Sequence, residues 1–200
     1  MNLSIDKSEA PHTGVYYQPT DYAGFWRRLA IDVVDIVVMG VVWLVLGIST
    51  AVLASLVPHE QQLEPELPGW ATRVLMSSFL VMAFAYFVLL KRSRFRTLGY
   101  KLCGARIVNL QGERPSIYSL TIRLLFAVFG PLNFLLDLIW IPTDKCRQAL
   151  RDKFAHTYVV RFSAEPEGRG KVVYTTYLLL GWAFLFPEIK ALHEVPDGRA

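Results

Sequence analysis

The sequence predicts an all-α polytopic membrane protein: a small helical bundle with a re-entrant or split third segment and a minor cytoplasmic β-pair. Three observations carry this expectation. The chain has 200 residues, 53% hydrophobic and 19% charged, with a mean hydropathy of +0.33, whereas a soluble domain carries about a quarter charged residues. Its apolar residues gather into long uninterrupted runs, and its basic residues gather beside those runs. The length suits a small bundle and falls short of the duplicated halves of a large transporter. Collagen, coiled-coil, disordered and disulfide-scaffold classes do not fit the composition.

The first run, Ile36 to Val57, contains no charge and would extend about 33 Å as a helix, enough to cross a hydrocarbon core. Asp6, Glu9, Asp21, Asp32 and Asp35 precede it, so it reads as a retained helix starting near Phe25 rather than a secretory signal. Trp70 to Leu90 forms a second span whose one charge, Arg73, lies near its end, where a long side chain can snorkel to the headgroups. The loop from Pro58 to Gly69 carries Glu60, Glu64 and Glu66 and no Lys or Arg. Lys91, Arg92, Arg94, Arg96, Lys101, Arg106 and Arg114 follow the second span, against Glu113 alone. The positive-inside rule therefore places the N-terminus and the second loop in the cytoplasm.

The third apolar stretch, Leu124 to Ile141, precedes a second basic segment holding Lys145, Arg147, Arg151, Lys153, Arg161, Arg169 and Lys171. A single crossing would put those charges outside. Gly130-Pro131-Leu132-Asn133 offers a turn at its middle, so two short helices are expected, about Ser119 to Phe129 and Leu132 to Ile141, dipping in and returning or lying against the bundle. The last run, Val172 to Pro187, reaches spanning length only if it continues to about Leu192, and reads as a shorter or tilted third crossing by an apolar helix, with interfacial attachment as the rival. Ala105 to Leu110 and Thr157 to Phe162 look like strands that pair. The chain thus divides into a cytoplasmic tail (1–21), a membrane domain (22–162), and a linker with the C-terminal apolar helix and tail (163–200).

Arg28, Asp32 and Asp35 share one face of the first helix, being four and three positions apart. An Asp within a span disfavours insertion by about 2.5–3.5 kcal/mol, so Asp35 should face protein, water or a cation. Asp35 is then either a proton or cation site tuned by Arg28, or a packing group, with Arg28 and Asp32 forming a pair on the helix surface. Asp137 is the other intramembrane carboxylate; Arg123 either shares its depth on the opposite arm or snorkels to the interface. Asn133 reads as a turn residue. Asp152, among Lys145, Arg147, Arg151 and Lys153, is placed to pair with Arg28 and pin the cytoplasmic segment to the bundle.

Three ordered blocks, Tyr22-Ala23-Gly24-Phe25-Trp26-Arg27-Arg28-Leu29-Ala30 with Asp35 following, Thr97-Leu98-Gly99-Tyr100-Lys101-Leu102-Cys103-Gly104-Ala105-Arg106-Ile107-Val108, and Arg147-Gln148-Ala149-Leu150-Arg151-Asp152-Lys153-Phe154-Ala155-His156-Thr157, resemble the RDD family of bacterial membrane proteins over about residues 22 to 162. The resemblance implies Arg28 (or Arg27), Asp35 and Asp152 as motif residues. Tyr100 stands where the family commonly has lysine, Arg151 where histidine is common, and His156 where glycine is usual; Asp32 is an additional acid. Members are generally suspected of transport, some being associated with sodium/proton exchange.

Cys103 and Cys146 lack ligand spacing, and His12, His59, His156 and His193 are scattered. No P-loop, GxSxG, HExxH or dinucleotide fingerprint occurs. No enzyme, cofactor, metal or nucleic-acid partner is expected; the basic segments suit topology and anionic lipid. The expected function is transport or a transport-associated role for a small ion, with proton-coupled cation exchange as one form. The alternative is a non-transporting scaffold that docks a partner. The expected setting is the bacterial inner membrane, the partners being the lipid bilayer and a second copy or another membrane protein.

Overall fold

Helix α1 (Phe25–Ser55) begins at the charged motif and runs on through the first apolar stretch. The computed structural model describes residues 13–56, 68–128, 131–179 and 182–191. Helix α2 (Gly69–Phe84) continues as a π-helical segment, Ala85–Leu90. Both units are long and apolar enough to cross a membrane, at hydropathies of 2.6 and 2.0, and only 11% of each apolar window is buried. The core helix of a soluble protein would be mostly buried. Here Leu44, Ile48, Leu80 and Val81 instead project outward, an all-round apolar surface suited to lipid. The acidic loop between the helices falls mainly in residues 57–67, outside the described residues.

The third stretch divides as expected into α4 (Ile117–Val128) and α5 (Pro131–Thr143). Residues 129–130 lie outside the described ones. Pro131 opens α5, a position where its missing N–H costs nothing, and Asn133 falls inside that helix rather than at the turn. Short helices α3 (Leu98–Leu102) and α6 (Leu150–Ala155) carry the second and third motif blocks.

Strands β2 (Ala105–Asn109) and β3 (Thr157–Arg161) pair antiparallel, from Ala105 opposite Arg161 to Asn109 opposite Thr157. Both faces of this ribbon are covered. Ile107 and Val159 pack with Ile31, Val88, Tyr100 and Leu120, while Val108, Tyr158 and Val160 pack with Tyr17 and Tyr22. Period-two alternation thus divides the ribbon between two small cores.

The C-terminal apolar helix expected over 172–192 is not formed, and the chain is not all-α. Its residues make β4 (Gly168–Leu179) and β5 (Trp182–Ala191), paired from Gly170 opposite Ala191 to Leu179 opposite Trp182. Strand β1 (Thr13–Tyr16) adds to the other edge of β4, giving the order β1-β4-β5. The end of the supposed N-terminal tail is therefore part of the fold; residues 1–12 and 192–200 lie outside the described residues. The physical reason is side-chain period. Phe184 and Phe186, two residues apart, both meet Phe154 of α6, with ring centroids 5.6 and 5.1 Å away. A helix would turn them about 200° from one another. Val172, Val173, Thr175 and Thr176 add the β-branched content that favours a strand.

Candidate functional site

The buried face of α1 presents Arg28, Ile31, Asp35 and Met39 at helical spacing. Arg28 donates through Nε to the Ala23 carbonyl at 2.9 Å and forms an ion pair with Asp152, as expected of the first and third motif blocks. Arg123 of α4 forms an ion pair with the other oxygen of the same carboxylate. Its guanidinium also donates to Thr157 Oγ1 at 2.8 Å and to Tyr100 Oη at 3.3 Å. Asp152 is fully buried, Arg28 is 2% exposed and Arg123 is 5% exposed. The snorkelling expectation for Arg123 is thus overturned, because its charge is neutralised inside the protein. Burial pushes the Asp152 carboxyl up, but Arg123, Arg28 and Arg151 outweigh it and hold it at about 2. The ambiguity between neighbouring arginines also resolves. Arg28 faces Asp152, while Arg27 lines a separate cleft with Arg147 and Arg161.

A second cluster centres on Arg151. Its Nη2 donates to Asp32 at 2.6 Å, its backbone N–H donates to Asp137 Oδ1 at 2.9 Å, and its Nε lies 3.1 Å from Asp137 Oδ2. Arg28 and Asp32 therefore do not form the expected surface pair, since each has a partner on α6. Arg123 and Asp137 likewise pair with different residues. Desolvation disfavours the Arg151 charge, yet Asp32, Asp137 and Asp152 raise its pKa above the ordinary value. Next along α6, Lys153 meets Asp144 at 2.6 Å and Glu188 of β5 at 3.4 Å. Helix α6 is thereby tied to α1, α4, α5 and the C-terminal sheet.

Asp35 is held differently. Its Oδ1 accepts from Tyr86 Oη and from the Gly99 N–H, each at 2.9 Å, and its Oδ2 accepts from Thr97 Oγ1 at 2.8 Å. The π-helical segment brings Tyr86 to this position, and the second motif block supplies Thr97 and Gly99. Glycine is required for the approach. A Cβ at position 99 would press on the Ile31 carbonyl and lie 2.8 Å from Asp35 Oδ1. Among the described residues no cation lies within ion-pair distance of Asp35.

Between α1, the end of α2 and α4 lies a cavity of about 370 Å³, lined by Asp32, Asp35, Lys91, Arg123 and Arg151 and by the apolar Ile36, Phe87, Leu120, Leu124, Ala127 and Val128. Asp32, Arg123 and Arg151 are engaged in ion pairs. Asp35 and Lys91 are the cavity charges without one among the described residues. Lys91 Nζ sits over the Phe87 and Tyr100 rings, 5.2 and 4.9 Å from their centroids. Burial, reinforced by Arg123, lowers its pKa to about 8. Sequence reasoning passed over Lys91, which looks like one more charge setting topology. The available clue was its spacing of four residues from Phe87, which puts ammonium and ring on one helix face.

Among the described residues no group of His, Cys, Asp and Glu could hold a metal ion; His12, His59 and His193 lie outside those residues. Cys146 is half-buried, and its desolvation together with the Asp144 charge pushes its thiol up to about 11, so it is a poor nucleophile.

No curated protein and no solved structure matches the chain. The sequence model of the RDD family matches residues 22–156. The match covers the first two motif blocks, the third block through His156, and the residues from Arg28 to Asp152 that build the ion-pair clusters, and it leaves β1, β3, β4 and β5 outside. Together with two apolar helices of spanning length, it supports a membrane protein. The chain belongs to the RDD family.

Proposed function

We propose that the chain is a multi-pass, non-enzymatic protein of the bacterial inner membrane, N-terminus in the cytoplasm, that takes part in transport of a small ion. Positive-inside asymmetry supports the orientation. The observation that carries the functional reading is a division of labour among buried charges. Asp152, Asp137 and Asp32 are matched by arginines, whereas Asp35 and Lys91 line the cavity without an ion-pair partner among the described residues. A carboxylate and a lysine whose pKa is lowered to about 8, lining one partly apolar cavity, suit exchange of a proton against a small cation. Two helices of spanning length are few for a complete pathway, so the reading includes assembly with a second copy or a partner membrane protein.

A specific observation favours the second reading, a non-transporting scaffold. Asp35 accepts hydrogen bonds from Tyr86, Thr97 and Gly99, which could serve only to join α1 to α2 and α3. Reconstitution separates the two. Purified protein in liposomes is expected to discharge a pH gradient when a monovalent cation is added, and Lys91→Met is expected to slow this. A folded preparation without cation-dependent discharge would overturn the transport reading and leave the scaffold.

A further inference from the structure

A separate cleft of about 270 Å³ lies between the chain leaving α2, strand β2 and the turn before α4, with Arg92, Arg94, Arg96, Arg106, Arg114 and Phe162 on its walls. Glu113 is its acidic lining residue. None of these arginines lies within ion-pair distance of a carboxylate among the described residues. Arg92, Arg96 and Arg106 are oriented by neutral groups. Arg92 Nε–H donates to the Pro115 carbonyl at 3.2 Å, Arg96 Nη1 to the Ala105 carbonyl at 2.9 Å, and Arg106 Nη2 to the Ala164 carbonyl at 2.6 Å. The Arg96 guanidinium also lies over Phe162, 4.1 Å from the ring centroid.

Carbonyls and a ring fix a guanidinium in place without cancelling its charge. Arg96 and Arg106 each retain a buried Nε–H with no acceptor among the described residues. Arg96 also adopts a left-handed backbone conformation, φ 58°, which a non-glycine residue holds only when its surroundings demand it. Topology alone asks for basic residues on one side of a membrane; it does not ask them to converge on one cleft or to be oriented by carbonyls.

We propose that this cleft is a binding site for a phosphate-bearing anion, gripped at the phosphate by Arg96 and Arg106 with Arg92, Arg94 and Arg114 around it. The planar guanidinium fork matches phosphate oxygens, and a bound anion relieves the mutual repulsion of the cluster. The phosphate can come from the headgroup of an anionic phospholipid, since Arg92 and Arg94 directly follow a helix of spanning length, or from a soluble phosphate compound. The site is independent of whether Asp35 carries an ion.

The test uses the full chain in detergent, with thermal stability and isothermal titration as readouts. Pyrophosphate and short-chain phosphatidylglycerol are compared with phosphatidylcholine and with sodium chloride of matched ionic strength. Saturable binding with a raised unfolding temperature is expected for pyrophosphate, phosphatidylglycerol or both, the tighter arm identifying the source. Arg106→Gln and the exposed Arg94→Gln are expected to weaken it, Arg106→Gln by about tenfold, the loss of one charge-assisted hydrogen bond. Lys145→Gln, an exposed charge outside the cleft, is expected to leave it unchanged. Equal responses to the phosphate compounds and to chloride, or equal weakening by Arg94→Gln and Lys145→Gln, would overturn the proposal. The comparison of ligands on the wild-type chain decides even where a variant fails to fold.

Discussion

Replacing Asp152 by Asn tests the buried cluster most severely. The carboxylate is fully buried and balances two guanidiniums, Arg28 and Arg123, that are 2% and 5% exposed. Asn keeps the shape and one acceptor but leaves both cations uncompensated in a low-dielectric interior. Breaking a buried pair from one side costs about 3–5 kcal/mol. In a domain of this size each kcal/mol shifts the unfolding midpoint by roughly 2–4 °C, so Asp152→Asn should lower it by at least about 6 °C. Intrinsic fluorescence during heating of the detergent-purified chain measures this. A cycle with Arg28→Gln adds specificity, because contacting partners couple by about 0.5–3 kcal/mol. A midpoint within 2 °C of wild type for Asp152→Asn, or strictly additive effects in the cycle, would refute the reasoning.

Three further outcomes follow from the same contacts. The Asp152 carboxyl is depressed from its ordinary 3.8 to about 2, so its stabilisation is complete above about pH 4 and is lost as pH falls through 2; about 2 kcal/mol should disappear over that window in acid unfolding, and Asp152→Asn should flatten the slope. Gly99→Ala forces a Cβ against the Ile31 carbonyl and Asp35, and should cost about 1–3 kcal/mol in thermal unfolding; an unchanged midpoint would show that the approach is looser than described. Glu188→Gln weakens the tie between Lys153 and β5, and should speed amide exchange in β4 and β5 while leaving β2 and β3 protected.

The legible parts of this chain were those where one signal suffices. Length and hydropathy marked α1 and α2, and the Gly130-Pro131 pair marked the break between α4 and α5. The contact of Arg28 with Asp152 was legible as charge complementarity between two motif blocks. The C-terminal sheet was not, because average hydropathy is blind to period: Val172 to Ala191 is apolar enough for a helix, while its alternation becomes decisive only once Phe154 is there to receive Phe184 and Phe186. The partners of Arg151 depend on how α5 packs on α6, which no local pattern encodes. Lys91 was hidden among the basic residues that mark topology, and its lack of an ion-pair partner among the described residues emerges only in three dimensions. His156 takes the left-handed conformation, φ 53°, that a glycine there would adopt without strain.

The central functional claim is that Asp35 handles an ion while the arginine-matched acids hold the fold together. The most direct measurement is cation-dependent proton flux through Asp35→Asn in liposomes, with its thermal midpoint taken on the same preparation. Asn retains the volume and can still accept from Gly99 and Tyr86. The account predicts flux reduced at least about tenfold, equivalent to about 1.4 kcal/mol of barrier, with the midpoint held within a few degrees. Flux equal to wild type in the folded variant would contradict it.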